Sequence, residues 1–487
     1  MTDSTSRSGS LGDLSRRQRV GVLLICSMSL LIVSLDVTIL NVALPSIGHD
    51  LHASVSGLQW TVDAYTLVLA SLLMLSGSTG DRLGRRRVFT AGLVLFTVGS
   101  LLCSRAPSLD LLVTFRMIQA VGGSMLNPVA MSIVTNTFTD PRERAQALGV
   151  WAAVVGVSMA FGPLVGGALV GSVGWRSVFL INIPIGIAAF ILASVFVPES
   201  RAERPRRVDP VGQILVIGVL SALTYAIIEV PNRGWGSPLI LSCVVVTLGG
   251  VLGLLAWEKR REDPLVELRF FHSIPFAGSA VLALAAFGAQ GGFLFLNTLY
   301  LQEVRGFSPI HAGLALLPMA VMALVLPPIS GHIVGSKGSR LPLLIAGVGS
   351  LAGFIMLAQL NATTSMWYVE ASYAVFGVGF GFVNAPITTA AVAGMPRAQA
   401  GVASAVASTS RQVGATLGVA VVGALAVSRA GRHAVTAHDL VVGWWVLAGA
   451  GALILIVGRL VTSARAQLSA EVTARELNPE YLEGLSS

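Results

Sequence analysis

The stretch VGVLLICSMSLLIVSLDVTILNVALP, residues 20–45, decides the fold of this chain. A helix of about 20 apolar residues, rising about 1.5 Å per residue, crosses the roughly 30 Å hydrocarbon core of a bilayer. Asp36 is the one charged residue in the stretch. Because a carboxylate is costly inside a span, we expect it to face a bundle interior and to bind a proton, an ion or a cationic ligand. The alternative is a structural carboxylate satisfied by neighbouring hydroxyls and water.

The composition of the whole chain agrees with a membrane protein. Of 487 residues, 54% are hydrophobic and 11% are charged, whereas soluble proteins carry about 25% charged residues. Cys26, Cys103 and Cys243 lie in apolar runs without metal or disulfide spacing, so they are predicted to pack as small hydrophobes. Residues 1–19 lead directly into a full-length span, which predicts an uncleaved first span rather than a signal peptide.

Hydropathy predicts fourteen membrane spans separated by short loops. They cover roughly residues 20–44, 57–76, 87–104, 109–133, 145–170, 176–197, 209–229, 236–256, 274–300, 311–334, 341–359, 367–393, 402–427 and 439–459.

Lysine and arginine are distributed unevenly between the loops. The N-terminus and the loops on its side hold 24 of the 32, the opposite loops hold six, and Arg116 and Arg411 lie inside spans. The positive-inside rule therefore predicts that both termini are cytoplasmic. Membrane topology accounts for the formal net charge of +8, so no nucleic-acid partner is expected.

A glycine-rich basic turn occurs twice in the sequence. The stretch GSTGDRLGRR, residues 77–86, follows the second span, and GHIVGSKGSR, residues 331–340, follows the tenth at an offset of 254 residues. The repeat predicts an all-α integral membrane protein with 14 transmembrane helices, in which two six-helix bundles flank a two-helix central insert. The predicted segments are a tail at 1–19, bundles at 20–197 and 274–459, the insert at 209–256, and a tail at 460–487. Two such halves with a substrate site between them describe a secondary transporter.

Several motifs resemble those of the major facilitator superfamily, and specifically of its fourteen-span drug:proton antiporters. LDVTILNVALP at 35–45 resembles the first-span signature, and residues 77–86 resemble the loop between spans 2 and 3. RMIQAVG at 116–122 resembles the fourth-span motif, and GVSMAFGPLVGG at 156–167 resembles the antiporter motif of the fifth span. WTVDAY at 60–65 and RQVG at 411–414 are also similar to fourteen-span exporters.

The resemblance implies a role for each motif. In the loop, Asp81 is expected to latch the cytoplasmic gate, together with Gly77, Arg82, Gly84, Arg85 and Arg86; the alternative is that these arginines only anchor the topology. In the fifth span, the antiporter residues are Gly156, Gly162, Pro163, Gly166 and Gly167. Their glycines let helices approach closely and the proline bends the span, and helix packing alone is the alternative.

Three charged residues are expected to couple protons to substrate. Arg116 is expected to set the protonation of a neighbouring carboxylate, Asp36 or Asp63, unless it forms only a structural pair. Asp36 is predicted to carry the proton on a hydrated cavity wall beside Ser34, Thr38 and Asn41. Asp63 is predicted to meet cations, although it can also be an interfacial carboxylate or exchange roles with Asp36.

The second half offers mainly neutral polar groups for a cavity. No acidic residue lies deep in spans 9–14, which argues against divalent cationic substrates. The candidate cavity residues of both halves are Asn41, Tyr65, Gln119, Gln290, Asn297, Asn384, Arg411 and Gln412.

Soluble catalytic signatures are missing from the sequence. The seven histidines lie in loops or at span ends, and no Gly-Lys-Ser/Thr phosphate loop occurs. We therefore expect no enzyme, no metal and no cofactor, with a proton gradient as the energy source. The predicted function is a monomeric proton-coupled exporter of small amphipathic drugs or antibiotics in a bacterial cytoplasmic membrane, surrounded by lipid. The alternatives are an exporter of an endogenous metabolite, siderophore or lipid, and, remotely, a membrane receptor or intramembrane enzyme.

Overall fold

The structure, a computed structural model, describes residues 15–202, 209–261, 267–395, 399–430 and 434–477. Its α-helices are α1 Arg16–Asp50, α2 Val55–Leu83, α3 Arg85–Ser104, α4 Leu109–Thr137, α5 Pro141–Ser172, α6 Ser177–Leu180, α7 Asn182–Phe196, α8 Pro210–Arg233, α9 Pro238–Glu258, α10 Ile274–Thr298, α11 Pro309–Ala315, α12 Leu317–Lys337, α13 Arg340–Leu357, α14 Met366–Val392, α15 Ala400–Ala430, α16 Ala437–Val461 and α17 Ala464–Leu477. A short 3₁₀ turn, Leu268–His272, precedes α10, and a π-helical turn, Leu299–Val304, follows it.

Fourteen membrane spans are confirmed by the lengths and composition of these helices. Within the described ranges there is no β-strand, so the all-α fold class is confirmed as well. Several spans begin at a polar cap, as expected where backbone N–H groups lack partners inside the helix. Ser54 accepts from the N–H of Gly57 before α2, and Ser15 and Gln18 cap each other reciprocally at the start of α1.

The repeat is visible in the backbone. The turn between α2 and α3 is made at Gly84 (φ 116°), and the turn between α12 and α13 is made 254 residues later at Gly338 (φ 81°). Both values lie in the region that side chains with a Cβ rarely adopt, so glycine is required at each turn.

The helices pack as two halves that meet along two seams. Helices α1–α7 contact one another on one side, and α10–α16 do so on the other. Between the halves, α2 packs against α15, and α5 packs against α11 and α12. We call the end of the bundle at which α1 begins the near end, and the opposite end the far end.

The insert helices lie outside these two halves. Helix α8 packs against both α2 and α15, whereas α9 packs on α8 and exposes most of its apolar surface, as a lipid-facing helix does. The predicted tail at 460–487 contains a further helix, α17, which packs against the start of α10; residues 478–487 lie outside the described ranges. Most of the predicted tail at 1–19 also lies outside them.

Candidate functional site

Asp36 lies in a closed polar network inside the first half. Arg116 Nη1 donates to Asp36 Oδ2 at 2.5 Å, and both side chains are 1% exposed. Asp36 Oδ1 accepts from Gln119 Nε2 at 2.8 Å and from Asn182 Nδ2 at 3.0 Å. Both amides also donate to Ser100 Oγ, at 2.7 and 3.2 Å. Two helices, α4 and α7, therefore supply the partners of a carboxylate in α1, and Ser100 of α3 completes the network.

This placement corrects the predicted cavity wall. Ser34 and Thr38 share a face of α1, but Asp36 points away from it into the helix bundle, where its charge has a complete set of partners. The guanidinium of Arg116 also lies 4.1 Å from the centre of the Tyr65 ring, and its Nε donates to the carbonyl of Thr61. Two of the predicted cavity residues, Gln119 and Tyr65, are thus buried around this ion pair rather than around a cavity.

Asp63 stands in a different environment. It is fully buried on α2, and neither carboxylate oxygen has a hydrogen-bond partner. Gln59, one turn before it, donates to the carbonyls of Val419 and Ala420 at 3.3 and 2.9 Å. Thr66, one turn after it, accepts from Thr416 at 2.8 Å. Because residues 59, 63 and 66 share a helix face, Asp63 lies in the seam between the two halves, facing α15.

The antiporter glycines of α5 bring three helices into close contact. At Gly162 a Cβ would collide with Thr38 of α1, and at Gly166 it would lie 3.1 Å from Ile39. At Gly167 it would lie 2.5 Å from the carbonyl of Pro309 in the other half. Pro163 lies inside α5, and a Cβ at Gly313 of α11 would collide with the carbonyl of Pro163. The glycines therefore serve the seam as well as the packing of α1 on α5.

A small cavity of about 10 Å³, room for about one water molecule, lies between the halves at this level. It is lined by Thr38, Met159, Pro163, Gln290, Leu294, Leu316, Met319 and Ala320. Gln290, a predicted cavity residue, is its largest polar group and approaches Met159 Sδ at 3.8 Å. The lining contains no charged side chain, and in this conformation the space is too small for a drug-sized ligand.

The predicted gate loop is held by its own half. Asp81 Oδ1 accepts from Arg85 Nε and Nη2 at 3.0 and 2.8 Å. The carboxylate of Glu199 caps the following helix by accepting from the N–H of Arg86 at 3.1 Å, and a Cβ at Gly84 would lie 2.7 Å from it. The backbone N–H of Ala202 also donates to the backbone carbonyl of Asp81 at 3.1 Å. Gly77 and Arg82 belong to the last turns of α2, at the near end.

The remaining candidates of the second half do not form one site. Asn297 is buried and accepts from the hydroxyl of Tyr373, inside that half. Arg411 Nη2 donates to Thr388 at 2.8 Å, beside the exposed Asn384. Gln412 contributes its carbonyl to Thr416, and Asn41 donates to the carbonyl of Val37. Of the predicted cavity set, the structure places Gln290 alone among the cavity-lining residues.

Sequence reasoning missed several partners. Asn182, Ser100 and Gln59 are single polar residues in apolar spans, a signal that predicts burial but not which helix each one meets. Glu199 follows a span end and carries no such signal. The described residues contain no group of three or more histidine, cysteine or acidic side chains placed to hold a metal.

Comparison with known proteins decides the family. The sequence model of the Major Facilitator Superfamily matches residues 26–419. The chain belongs to this superfamily. Within it, the chain is 36% identical over 411 residues to the tetracenomycin C resistance and export protein of Streptomyces glaucescens, a match that covers 84% of this chain and 76% of that protein. It is 35% identical over 412 residues to the multidrug resistance protein Stp of Mycobacterium tuberculosis, with the same coverage.

Other relatives agree with this family. The methylenomycin A resistance protein of Bacillus subtilis is 30% identical over 420 residues, covering 86% of this chain and 90% of that protein. A crystal structure of a peptide transporter, POT, in complex with sulfate superimposes with a TM-score of 0.68 over 92% of this chain and 95% of that chain. Since its sequence identity is 13%, that likeness shows the fold alone.

Proposed function

We propose that this protein is a proton-coupled exporter of small amphipathic drugs or antibiotics, with both termini in the cytoplasm of a bacterial cell. The observation that carries the coupling is Asp63, a buried carboxylate without a partner in the seam between the halves. An ionised carboxylate is strongly disfavoured in such a place. We call the form in which hydrogen bonds from Gln59 to Ala420 and from Thr416 to Thr66 close this seam far-end-closed. It therefore holds Asp63 in its protonated form, and opening of the seam at the far end hydrates Asp63 and exposes it to the outer solution.

Charged residues inside the helices that pack on α2 have other partners. Arg116 of α4 pairs with Asp36, and Arg411 of α15 binds Thr388. Glu229 of α8 accepts from Trp60 and pairs with Arg233. None of these residues has a hydrogen bond to the carboxylate of Asp63. Protonation is thus the means by which this seam can close over it, and a proton taken up from outside drives the halves toward the near-end-open form. Release of that proton to the near-end side then completes its transfer and returns Asp63 to the ionised form in which the seam reopens.

The uncharged cavity indicates the class of substrate. Its lining of methionine, leucine and alanine side chains with Gln290 and Thr38 supports weakly polar compounds that also dissolve in lipid. The names of the tetracenomycin C and multidrug resistance relatives support antibiotics and other drugs as substrates. We further propose that the exporter acts as a monomer, uses no cofactor, and releases its near-end gate through Asp81.

Transport across a pH gradient tests the proposal. Purified protein in proteoliposomes should export members of a compound panel against their gradient when the exterior, far-end side is made acidic, and transport should stop when the gradient is collapsed. Transport that persists without a pH gradient would contradict proton coupling. Reporter fusions at Ser10 and Ser486 should both report cytoplasm, and opposite sides would contradict the orientation.

A second candidate is export of one antibiotic made by the producing cell. It is favoured by relatives named for single antibiotics, tetracenomycin C and methylenomycin A. The same panel separates the two, because a dedicated exporter would carry one chemical series and a multidrug exporter would carry several.

A further inference from the structure

The two seams between the halves are equivalent by the internal repeat. The offset of 254 residues places α2 on 309–337, which is α11 with α12, and places most of α5 on α15. The seam of α2 with α15 and the seam of α5 with α12 are therefore counterparts. A transporter built only from the repeat would present the same face to lipid at both.

The insert breaks this equivalence by covering one seam. Helix α8 is fixed to α2 by polar contacts: Gln213 donates to the carbonyl of Ser71 at 2.5 Å, Asn232 to Ser56 at 3.0 Å, and Trp60 to Glu229 at 3.1 Å. Against α15 it presents Leu220 and Thr224, which meet Val413, Thr416 and Leu417 around a small space. Helix α8 is thus anchored on the first half and lies across the seam to the second.

The other seam opens toward the near end. Helices α5 and α12 touch where a Cβ at Gly156 would lie 3.1 Å from Leu324. Gly149 and Gly331 lie on the same two helix faces, each seven residues and about 10 Å closer to the near end. A Cβ at either glycine would meet nothing within 4 Å. The two helices therefore part within two turns of their contact.

The edges of this opening are apolar. Val150 and Val157 of α5 are 41% and 38% exposed, and Val325 and Ile329 of α12 are 50% and 45% exposed. In the part of the chain that the structure describes, no helix covers them as α8 covers the counterpart seam. Exposed apolar side chains within spans face lipid. The cavity residues Met159 and Ala320 lie about one turn beyond the Gly156–Leu324 contact, so this contact alone separates the opening from the cavity along these two helices.

We propose that the opening bounded by Gly149 and Gly331 is a lateral portal, through which apolar compounds dissolved in the near leaflet reach the central cavity when the Gly156–Leu324 contact parts. The counterpart seam is sealed by α8, so access from the bilayer is one-sided. Water-soluble compounds enter instead through the near-end mouth between the halves. This inference rests on the proposed export of amphipathic compounds, but the portal itself is a property of the fold and can be tested without transport.

Chemical labelling in liposomes tests the portal directly. In a background with Cys26, Cys103 and Cys243 replaced by alanine, Ala320→Cys places one thiol in the cavity. The bilayer-dissolved reagent pyrene maleimide should label it, and Gly149→Trp with Gly331→Trp should slow labelling about tenfold by filling the opening. The water-soluble thiosulfonate MTSES should react at an unchanged rate. The matched control is Gly218→Trp on α8, also a glycine with open space around it, which should change neither rate.

Transport of two dyes gives the second readout. The tryptophan pair should lower export of the membrane-partitioning dye Hoechst 33342 about tenfold and leave export of the more water-soluble ethidium unchanged. Failure of the unmodified protein to export either dye would count against multidrug export and leave the labelling result to decide the portal. Pyrene maleimide labelling that is absent from the start, or that is unaffected by the tryptophan pair, would overturn the portal. Equal slowing by Gly218→Trp would also overturn it, because access would then not be one-sided.

Discussion

The seam around Asp63 and the network around Asp36 are two buried carboxylate sites with opposite surroundings. Asp36 has an arginine, two amides and a place wholly within the first half. Asp63 has no hydrogen-bond partner and lies between helices of different halves. A fully paired charge that moves with one rigid body holds that body together. An unpaired carboxylate at a surface that opens and closes changes its environment in every transport cycle. Coupling of transport to a proton requires such a change of environment.

The largest effect is expected at the seam. Asp63→Asn mimics the protonated carboxylate, so the seam can close without a proton and the link to the gradient is broken. Export driven by a pH gradient should fall to the background of empty liposomes, whereas downhill exchange of substrate should persist. If Asp63→Asn keeps full pH-driven export and Asp36→Asn abolishes it, then Asp36, not Asp63, carries the proton.

Inside the first half, the expected effect is on stability. Arg116→Gln leaves Asp36 as an unpaired buried charge and should destabilise the fold by about 3–5 kcal/mol, measured by thermal unfolding in detergent. Combining it with Asp36→Asn removes the charge and should restore most of that loss. Arg233→Gln, which breaks an exposed pair with Glu229, is the control and should change stability by less than about 1 kcal/mol. A double variant as unstable as Arg116→Gln would show that the ion pair itself holds the half together.

A packing change sharpens the same distinction. Gly162→Ala forces a methyl group into Thr38 and should cost about 1–3 kcal/mol of stability, without changing the dependence of transport on pH. Gly171→Ala is the matched control in α5, since a Cβ there meets nothing within 4 Å, and alanine should be neutral or stabilising. Equal loss in both variants would mean that a general effect of replacing glycine in α5, not the α1–α5 contact, explains the result.

The smallest effect is expected for a hydrogen bond across the seam. Gln59→Leu removes the donor to the carbonyls of Val419 and Ala420 and should shift the equilibrium between far-end-closed and far-end-open forms by about 1 kcal/mol, roughly fivefold. Distance measurements between labels on α2 and α15 at the far end should show the shift, while the melting temperature changes little. A lower melting temperature with an unchanged distance distribution would place Gln59 in the fixed interior instead.

The fold was largely predictable because its main determinants are local. Span number follows from the length of apolar runs, and the two positive-φ turns at Gly84 and Gly338 follow from a repeated sequence. The end of the chain was less predictable: residues 464–477 form a helix that packs on the start of α10, a contact that local sequence does not specify.

Some residues of the candidate site were singled out by the sequence, but the geometry of the site was not predictable. Arg116 was expected beside a carboxylate, and the structure chooses Asp36 over Asp63. The neighbours Ser34 and Thr38 suggested a hydrated wall, but side chains two residues apart on a helix point in different directions. The space between helices that each side chain enters depends on how the helices pack, and the sequence of one helix does not specify that packing. Asn182 and Gln59 were missed for the same reason.

Cys243 gives one more consequence of the way α8 is fixed to the first half. It is half-buried on α9, which packs on α8, whereas Cys26 and Cys103 are buried within the first half. A fluorophore attached to this natural thiol therefore travels with the first half, although it sits outside it. If an acceptor fluorophore is placed on α16, energy transfer between the two fluorophores should change when the two halves rock. The donor position on α9 is remote from the cavity, the seams and the gate.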